Sequence, residues 1–440
     1  MEILIKILQL LLSLSILVVF HEFGHFIAAK IFKTRVEKFY LFFNPWFSLF
    51  KFKFKGTEYG MGWLPLGGYV KISGMIDESM DKEQMKQPPK SYEFRSKPAW
   101  QRLIIMVGGV AVNIILAFAI FIGLSWANGN TYLPTEQVNN NFGVVTDSLG
   151  HSMGFEDGDK IISVDGKQIN EFSQIIGTIV LNQAKTVTVK RDGKDVNVPI
   201  TDKDLAALID SKSLTLFQPA FPFIVDSVMS KSLAQEIGLK KNDHVIGIND
   251  KSIPYFTDFG GEFIKDKGEK VNLKIIRNND TLSLPVTVPE TGKLGVYPKY
   301  DYFKLSHRDY TFAQAIPAGI DRTYKEINGY LKNLKLLFNP EVGAYKHVGG
   351  FISIGNIFPA AWDWVRFWTL TAILSIMLAV INILPIPALD GGHVAFLLYE
   401  VIARRKPSER FMEYAQMVGM IILFALMIFA NGNDIIKLFN

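Results

Sequence analysis

Four long apolar segments constrain the fold of this chain more than any other feature of its sequence. They are Ile3–Ala29, Leu103–Ala127, Phe367–Leu389 and Tyr414–Ala430. A helix needs about 20 apolar residues to cross the hydrocarbon core of a bilayer. The charged fraction is 20%, below the roughly 25% of soluble domains. The sequence therefore predicts a polytopic α-helical membrane protein with four transmembrane helices, at residues 1–33, 100–128, 364–393 and 411–430.

Positive charge lies in the two loops that join neighbouring apolar segments. One loop, residues 34–99, carries many lysines and arginines, and the other contains Arg404, Arg405, Lys406 and Arg410. Loops rich in Lys and Arg stay in the cytoplasm. Both chain ends and the long middle region are therefore predicted on the opposite side of the membrane. The net charge of +5 indicates orientation and attraction to anionic lipid, and it does not indicate nucleic-acid binding.

The middle region contains an internal repeat. Residues Gly154–Ile169 align with Gly238–Ile253, and each copy combines a turn, an alternating strand, a tight turn and another strand. The repeat predicts two tandem β-rich domains outside the cytoplasm, at residues 142–202 and 221–289. The Gly-x-x-x-x-Asp-x-Ile/Val-Ile pattern resembles PDZ domains, which implies that a peptide ligand can bind. Two β domains without a ligand are the alternative that this pattern leaves open.

The first apolar segment contains a His-Glu-x-x-His sequence at residues 21–25. Residues i and i+4 of a helix share one face, so His21 and His25 can bind the same metal ion. Glu22 lies beside them, where it can handle the proton of a metal-bound water. The chain has no cysteine, so any metal must be held by His, Asp or Glu. The alternative is an interfacial cluster that is solvated by water.

A hydrolytic zinc site keeps three protein ligands and one open position, so a third ligand must come from elsewhere. The segment 382–393, Asn-Ile-Leu-Pro-Ile-Pro-Ala-Leu-Asp-Gly-Gly-His, contains two prolines and two glycines that break the helix. Asp390 is the only acid in this segment, and it is our choice for the third ligand, with His393 as the rival. Asn382 is predicted to bind the substrate backbone or to polarise its carbonyl group. Its alternative role is to satisfy the broken helix.

A β-hairpin is predicted within the cytoplasmic loop 34–99. Residues Phe50–Lys55 alternate between Phe and Lys, and Tyr59–Ile72 is strand-like with glycine breaks. We expect this hairpin to dip into the membrane toward the metal, where its edge can pair with an unwound substrate. Gly62, Trp63 and Leu64 are the candidate substrate-binding residues of the hairpin. The alternative is an ordinary solvated hairpin.

Two further segments are predicted with less detail. Residues 312–358 form an amphipathic, juxtamembrane region that lies on the membrane surface or packs under the β domains. Residues Met75–Lys97 are charged and contain two adjacent prolines, which favours a flexible cytoplasmic loop.

The combination of these motifs resembles the site-2 protease family of intramembrane zinc metalloproteases, in particular its bacterial regulator-of-sigma-E (RseP) type. The resemblance lies in the motif at residues 21–25, in Asn382 and Leu389-Asp390-Gly391, and in PDZ-like repeats between the membrane segments. A third family element, Gly-x-x-x-Asn, ends at Asn113, which faces substrate or joins helices. The family usually has Pro where this chain has Val110, and Ser-Gly-Pro where it has Gly-Gly-Phe at residues 349–351.

The resemblance implies a zinc-dependent endopeptidase that cleaves peptide bonds within transmembrane segments. It implies a bacterial inner-membrane location, an active site near the cytoplasmic side, and periplasmic PDZ-like domains that filter substrates by size or bind new C-termini. The implied substrates are single-span proteins such as anti-sigma factors, shortened first by another protease. Two other functions remain as alternatives. One is a membrane-anchored PDZ adaptor with a vestigial metal site, and the other is a membrane zincin whose third ligand is a glutamate.

Overall fold

The computed structural model describes residues 2–75, 88–211, 216–337, 339–340, 342–344 and 348–439. Part of the predicted flexible loop Met75–Lys97 lies outside these ranges. The chain divides into two compact units. We call them the helical unit, which comprises Met1–Gly129, Asp309–Leu334 and Tyr345–Asn440, and the β-rich unit, which comprises Asn130–Arg308 and Lys335–Ala344.

The helices of the described ranges are numbered in chain order. They are α1 (Glu2–Ile31), α2 (Ala99–Asn128), α3 (Thr135–Asn140), α4 (Ser148–Ser152), α5 (Gln174–Leu181), α6 (Asp202–Asp210), α7 (Leu233–Glu236), α8 (Phe256–Phe263), α9 (Phe312–Leu337), α10 (Phe351–Ile357), α11 (Trp364–Ile383), α12 (Asp390–Ala403) and α13 (Glu409–Phe439). Two short 3₁₀ turns occupy Phe94–Ser96 and Ile264–Asp266.

The strands are numbered in the same way. They are β1 (Val36–Phe43), β2 (Phe50–Phe54), β3 (Thr57–Met61), β4 (Leu64–Ile72), β5 (Asn130–Tyr132), β6 (Val144–Thr146), β7 (Lys160–Val164), β8 (Thr186–Arg191), β9 (Lys194–Pro199), β10 (Phe217–Pro219), β11 (Phe223–Val228), β12 (His244–Ile248), β13 (Lys251–Ser252), β14 (Lys270–Arg277), β15 (Asp280–Thr287), β16 (Val296–Pro298) and β17 (Ser306–Arg308).

Four helices of the helical unit are long and apolar enough to cross a membrane. They span Glu2–Ile31, Ala99–Asn128, Trp364–Ile383 and Arg410–Ile436. The prediction of four apolar helices is confirmed, but the third differs from its predicted range. It ends at Ile383, and a separate helix, α12, begins at Asp390. Pro385 and Pro387 lie between these points and end the helix, because proline has no N–H to continue its hydrogen bonds.

The helical unit also contains a four-stranded mixed sheet, in the order β2-β3-β1-β4. The sequence predicted one hairpin, and the structure corrects this. β2 and β3 form a hairpin, but β1 lies between β3 and β4, parallel to the first and antiparallel to the second. Sequence periodicity did not indicate β1, because its pairing with β3 is not a local hairpin contact. β4 is left as an edge strand that packs closely beside α1, since a Cβ at Gly68 would lie 2.6 Å from Cγ1 of Val18.

The segment predicted as amphipathic, residues 312–358, includes α9 and α10. Within the helical unit, α9 packs directly on a membrane helix. A Cβ at Gly319 would lie 2.5 Å from the backbone nitrogen of Ile122, so this glycine lets α9 and α2 approach closely. Further along α9, Ile327 and Tyr330 pack against the apolar core formed by α2 and α11. One face of α9 is therefore buried by helix packing.

The β-rich unit has two hydrophobic cores. The first is built around β7, β8 and β9, and the second around the sheet β15-β14-β12-β11-β16. Both cores extend past the predicted ranges 142–202 and 221–289. β10 pairs with β6 of the first core, and β16 pairs with β11 of the second. These closing strands were not in the aligned repeat, since each is only three residues long.

Each core contains a buried Asp–Arg ion pair, and the two pairs occupy equivalent positions. In the first, Asp159 is completely buried and receives hydrogen bonds of 2.8 Å from both Nε and Nη2 of Arg191. In the second, Asp243 is 1% exposed and receives bonds of 2.7 and 2.6 Å from Nε and Nη2 of Arg277. Each arginine also donates to a glycine carbonyl. The internal repeat therefore extends to individual atoms.

Candidate active site

The three polar residues of α1 lie within the helical unit. His21 and His25 are buried, at 8% and 7% exposure. Their i, i+4 spacing places both imidazoles on the same face of the helix, with 4.9 Å between ring centroids. Glu22 is half-buried and lines the cavity in front of them.

The break between α11 and α12 brings Asp390 to the two histidines. The break requires small residues around it. A Cβ at Gly391 would lie 2.1 Å from the Leu384 carbonyl oxygen, and one at Gly419 of α13 would lie 1.6 Å from that of Pro387. Side chains at these glycines would displace the backbone. The glycines therefore hold Asp390 at the start of α12, turned into the bundle.

Three potential ligand atoms converge at this point. Nε2 of His21 and Nε2 of His25 are 3.4 Å apart, and each lies 3.2 Å from Oδ2 of Asp390. Tetrahedral zinc with bonds of 2.0–2.1 Å separates its ligands by about 3.3 Å. Oδ2 of Asp390 is buried and accepts no hydrogen bond from a described residue. The donor set, its spacing and this unsatisfied oxygen all fit a tetrahedral metal ion.

The other ring nitrogens of the histidines have partners. Nδ1 of His25 donates to the Ile105 carbonyl oxygen at 2.9 Å, which leaves Nε2 free for a metal. Nδ1 of His21 lies 3.2 Å from the side-chain amide of Asn113. The amide oxygen of Asn113 is buried and has no partner among the described residues, so a rotated amide can accept the Nδ1 hydrogen. Asn113 therefore sits behind His21 in the structure.

Asn382 lies on the same side as the potential ligands. Its side-chain nitrogen is 3.3 Å from Nε2 of His21. The structure thus brings together four residues that the sequence singled out: His21, His25, Asp390 and Asn382. His393 does not belong to the group of ligand atoms, which lie within 4.8 Å of one another, and no described glutamate joins it.

A cavity of about 470 Å³ opens beside the ligand atoms. Its walls include Glu22, His393 and residues 68–72 of β4. Gly62, Trp63 and Leu64 lie at the other end of β4 and do not line this cavity. There, Nε1 of Trp63 donates to the Pro45 carbonyl oxygen at 2.9 Å. The sequence analysis did not single out residues 68–72. The consecutive glycines 67 and 68 in a strand-like segment could have indicated them, since such glycines often mark a close approach to the backbone.

Close contact between α1 and α2 also shapes the site. A Cβ at Gly24 would lie 2.2 Å from the Gly108 carbonyl oxygen, and one at Gly109 would lie 2.4 Å from Nε2 of His25. The imidazoles therefore rest against a glycine surface of α2. Gly109 was visible in the Gly-x-x-x-Asn element, but its role in making room for the histidines required the structure.

The profile of peptidase family M50 matches residues 9–426. The chain belongs to peptidase family M50. A Campylobacter jejuni protein with a zinc metalloprotease name is 30% identical, covering 99% of this chain and 94% of its own length. The regulator of sigma E protease of Haemophilus influenzae is 26% identical, covering 97% and 98%. The corresponding protease, RseP, of Salmonella typhimurium is 28% identical over the full length of both chains.

Membership of family M50 confirms the predicted resemblance to site-2 proteases. It also confirms the predicted enzyme class, a zinc metalloendopeptidase of the site-2 protease type. The alternative of a non-enzymatic adaptor loses its basis, since the M50 match covers both His-Glu-x-x-His and the Asp390 segment.

Proposed function

We propose that this chain is a zinc-dependent intramembrane endopeptidase that hydrolyses peptide bonds within transmembrane segments of single-span proteins. The observation that carries the proposal is the convergence of His21, His25 and Asp390 on one point inside an apolar helical bundle. The relatives named regulator of sigma E protease support a narrower version. In it, the substrates are anti-sigma-factor-like proteins that another protease has already shortened.

His21, His25 and Asp390 are the proposed zinc ligands, and Asn113 positions the imidazole of His21. Bound zinc supplies Lewis acidity that activates water and polarises the scissile carbonyl group. Glu22 lines the cavity at their side, where it takes a proton from the attacking water and delivers it to the leaving amine. Asn382, beside His21, donates a hydrogen bond to the oxyanion that develops in the transition state.

Substrate must unwind before hydrolysis, because a helix hides its peptide bonds in its own hydrogen bonds. We propose that the edge strand β4 pairs with the unwound segment by strand addition. Residues 68–72 of this strand line the cavity beside the potential ligand atoms, which we call the metal cavity. This position supports the assignment. Gly62, Trp63 and Leu64 at the start of β4 bind the more distant part of the same segment.

The proposed location is the bacterial inner membrane, with the bilayer as a constant partner. The Lys- and Arg-rich loops support a metal site near the cytoplasmic side and a β-rich unit in the periplasm. The repeated glycine turns and the buried Asp–Arg pairs support two PDZ-like domains in the β-rich unit. Their proposed role is to filter substrates by ectodomain size or to bind newly formed C-termini.

The Glu22→Gln variant tests the proton-transfer role. Gln keeps the shape of Glu22 but cannot accept a proton, so the general-base contribution of about 10²–10⁴-fold should be lost. Cleavage of a model transmembrane substrate by the detergent-purified chain measures this loss, while zinc content should stay near one per chain. Retained cleavage would refute the role of Glu22.

The Asp390→Ala variant tests the ligand set. Removal of one of three ligands should abolish stoichiometric zinc, measured by metal analysis after gel filtration. His393→Ala is the matched variant, because His393 lies one helical turn from Asp390 but outside the ligand group. It should keep its zinc. Zinc retained by Asp390→Ala and lost by His393→Ala would assign the third ligand to His393.

A further inference from the structure

A second cavity, of about 540 Å³, lies next to the metal cavity in the helical unit. Both cavities are lined by Met75, His393 and Gln416. These shared residues, which we call the neck, border both cavities, one beside the metal site and the other near the end of α12 and the start of α13. The second cavity has no part in the proposed chemistry, so its role is open.

The edge strand β4 leads from one cavity to the other. Residues 68–72 line the metal cavity, and Gly74 and Met75, which follow directly, line the second. β4 ends at Ile72, and a turn follows in which the backbone nitrogen of Met75 donates to the Ile72 carbonyl oxygen at 3.3 Å. A peptide paired with β4 beside the metal therefore reaches the second cavity as it passes the end of this strand.

The neck is polar, which suits a passing peptide. His393 lies three residues after Asp390, on the same side of α12. Gln416 of α13 is 7% exposed. Peptide groups that leave a helix need hydrogen-bond partners wherever water is scarce. Gln416 is placed to provide such a partner between the two cavities.

The walls of the second cavity combine apolar side chains with positive charge. Phe94, Phe396 and Met412 contribute apolar surface. Arg102 forms an ion pair of 2.5 Å with Glu400, so these two charges compensate each other. Lys406, also in the wall, is exposed and forms no ion pair with a described residue. The cavity therefore favours a large apolar group beside a negative one.

We propose that the second cavity is a substrate subsite. It binds the substrate side chains that lie beyond the part paired with β4, toward the cytoplasm, and prefers a large apolar residue next to an acidic one. This inference rests on the proposed function and adds a sequence preference to it. Lys406 and Met412 are the specificity-determining residues.

Charge reversal at Lys406 tests the electrostatic part. The full chain in detergent would be given model transmembrane substrates with Glu, Gln or Lys at positions three to five on the cytoplasmic side of the cleavage site. An exposed ion pair is worth up to about 1 kcal/mol, so the wild type should prefer Glu over Lys by about fivefold in kcat/KM. Lys406→Glu should invert this ratio at one of the three substrate positions.

Arg404→Glu is the matched control, since Arg404 lies in the same loop and does not line the cavity. It should keep the wild-type ratio. If the wild type shows the same kcat/KM for Glu and Lys substrates, or if the ratio changes equally in both variants, the subsite proposal is wrong. If the wild type cleaves no substrate in the presence of zinc, the proposed function fails as well, which separates the two conclusions.

Cavity filling at Met412 tests the apolar part independently. Met412→Trp should raise the KM for substrates with Leu or Phe at the position that the subsite binds. It should leave the KM for substrates with Ala at that position unchanged. A folding defect would impair all substrates equally, so this split identifies the subsite. Equal losses for large and small side chains, with normal zinc content, would overturn the proposal.

Discussion

At the scale of single residues, small side chains decide whether the proposed metal site can form. The imidazoles of α1 need space against α2, and Gly109 supplies it, because a Cβ there would overlap Nε2 of His25. The His25 imidazole is fixed by the Ile105 carbonyl and cannot move aside without losing this hydrogen bond. Gly109 thus affects the proposed metal site through geometry alone.

The Gly109→Ala variant should lower zinc affinity by at least about tenfold, in line with other changes that disturb ligand orientation. Gly123→Ala is the control on the same helix, since its added Cβ meets no atom within 4 Å. Alanine favours a helix over glycine, so the control should be neutral or stabilising. Competitive zinc titration against a chelator measures both variants, and equal affinities would contradict this steric account.

Residue types with specific chemistry could be chosen from the sequence. His21, Glu22, His25, Asp390 and Asn382 stood out because polar groups are rare in apolar segments. Main-chain partners could not be found in this way, since the carbonyl of Ile105 is chemically like every other carbonyl. Only the structure gives its distance from His25.

At the scale of elements, the buried Asp–Arg pair fixes the turn that opens each β core. Asp243 also accepts a hydrogen bond from the backbone nitrogen of Lys240, so one side chain joins a turn to strand β14. Without Asp243, Arg277 would keep a partly buried charge that no opposite charge compensates.

Asp243→Asn should therefore destabilise the second β core by about 2–4 kcal/mol. Asp226→Asn is the control, because Asp226 pairs with Lys241 at the surface, where such a pair contributes about 0–1 kcal/mol. Amide hydrogen exchange of strands β12 and β14, followed by mass spectrometry, measures both effects. Similar exchange rates in the two variants would show that the buried pair is dispensable.

Acid should stabilise the contact between the two cores. Burial and the nearby carboxylate of Asp157 raise the pKa of Asp258 to about 6, while His151 opposes the shift and Glu262 adds to it. The unfolded value is about 3.9. Ionisation therefore favours the unfolded state, and stability falls as pH rises from about 4 to 6.

Asp258→Asn should remove this penalty and stabilise the β-rich unit at pH 7.5 by up to about 1 kcal/mol, after allowance for solvent screening. At pH 4 the variant and the wild type should be equal. Hydrogen exchange of α8 at both pH values tests the prediction. Asp280→Asn, at an exposed position, should show no difference at either pH, and a gain at pH 4 alone would reverse the assigned sign.

Sequence patterns predicted whether a segment is a helix or a strand better than they predicted which elements pair with each other. The apolar helices and the alternating strand β2 were visible from periodicity, since each depends on neighbouring residues. The insertion of β1 between β3 and β4 was not, because nothing local specifies a parallel partner. The same limit hid the closing strands β10 and β16, which pair with distant segments.

At the scale of the whole molecule, the main segment of the β-rich unit, Asn130–Arg308, has two ends that meet. β5 pairs with β17, so Asn130 lies opposite Arg308. Chain termini that are close together allow a domain to be inserted with little effect on its host. The long middle region can therefore fold around its own cores while the helical unit assembles from separate parts of the sequence.

Labelling of introduced cysteines tests the proposed topology, and the native chain contains no cysteine to interfere. Lys167→Cys, in the β-rich unit, should react with a membrane-impermeant maleimide in intact spheroplasts. Arg404→Cys should react only after the membrane is permeabilised. The opposite pattern would reverse the orientation inferred from the positive loops.

The separation of the converging residues along the chain has a consequence for biosynthesis. α1 carries two imidazoles and the neighbouring acid, but their carboxylate partner follows the last proline of a loop near the other end of the chain. Translation runs from the amino terminus, so every product that ends before Asp390 lacks this partner. A chain cut short there carries the paired imidazoles without the group that completes them.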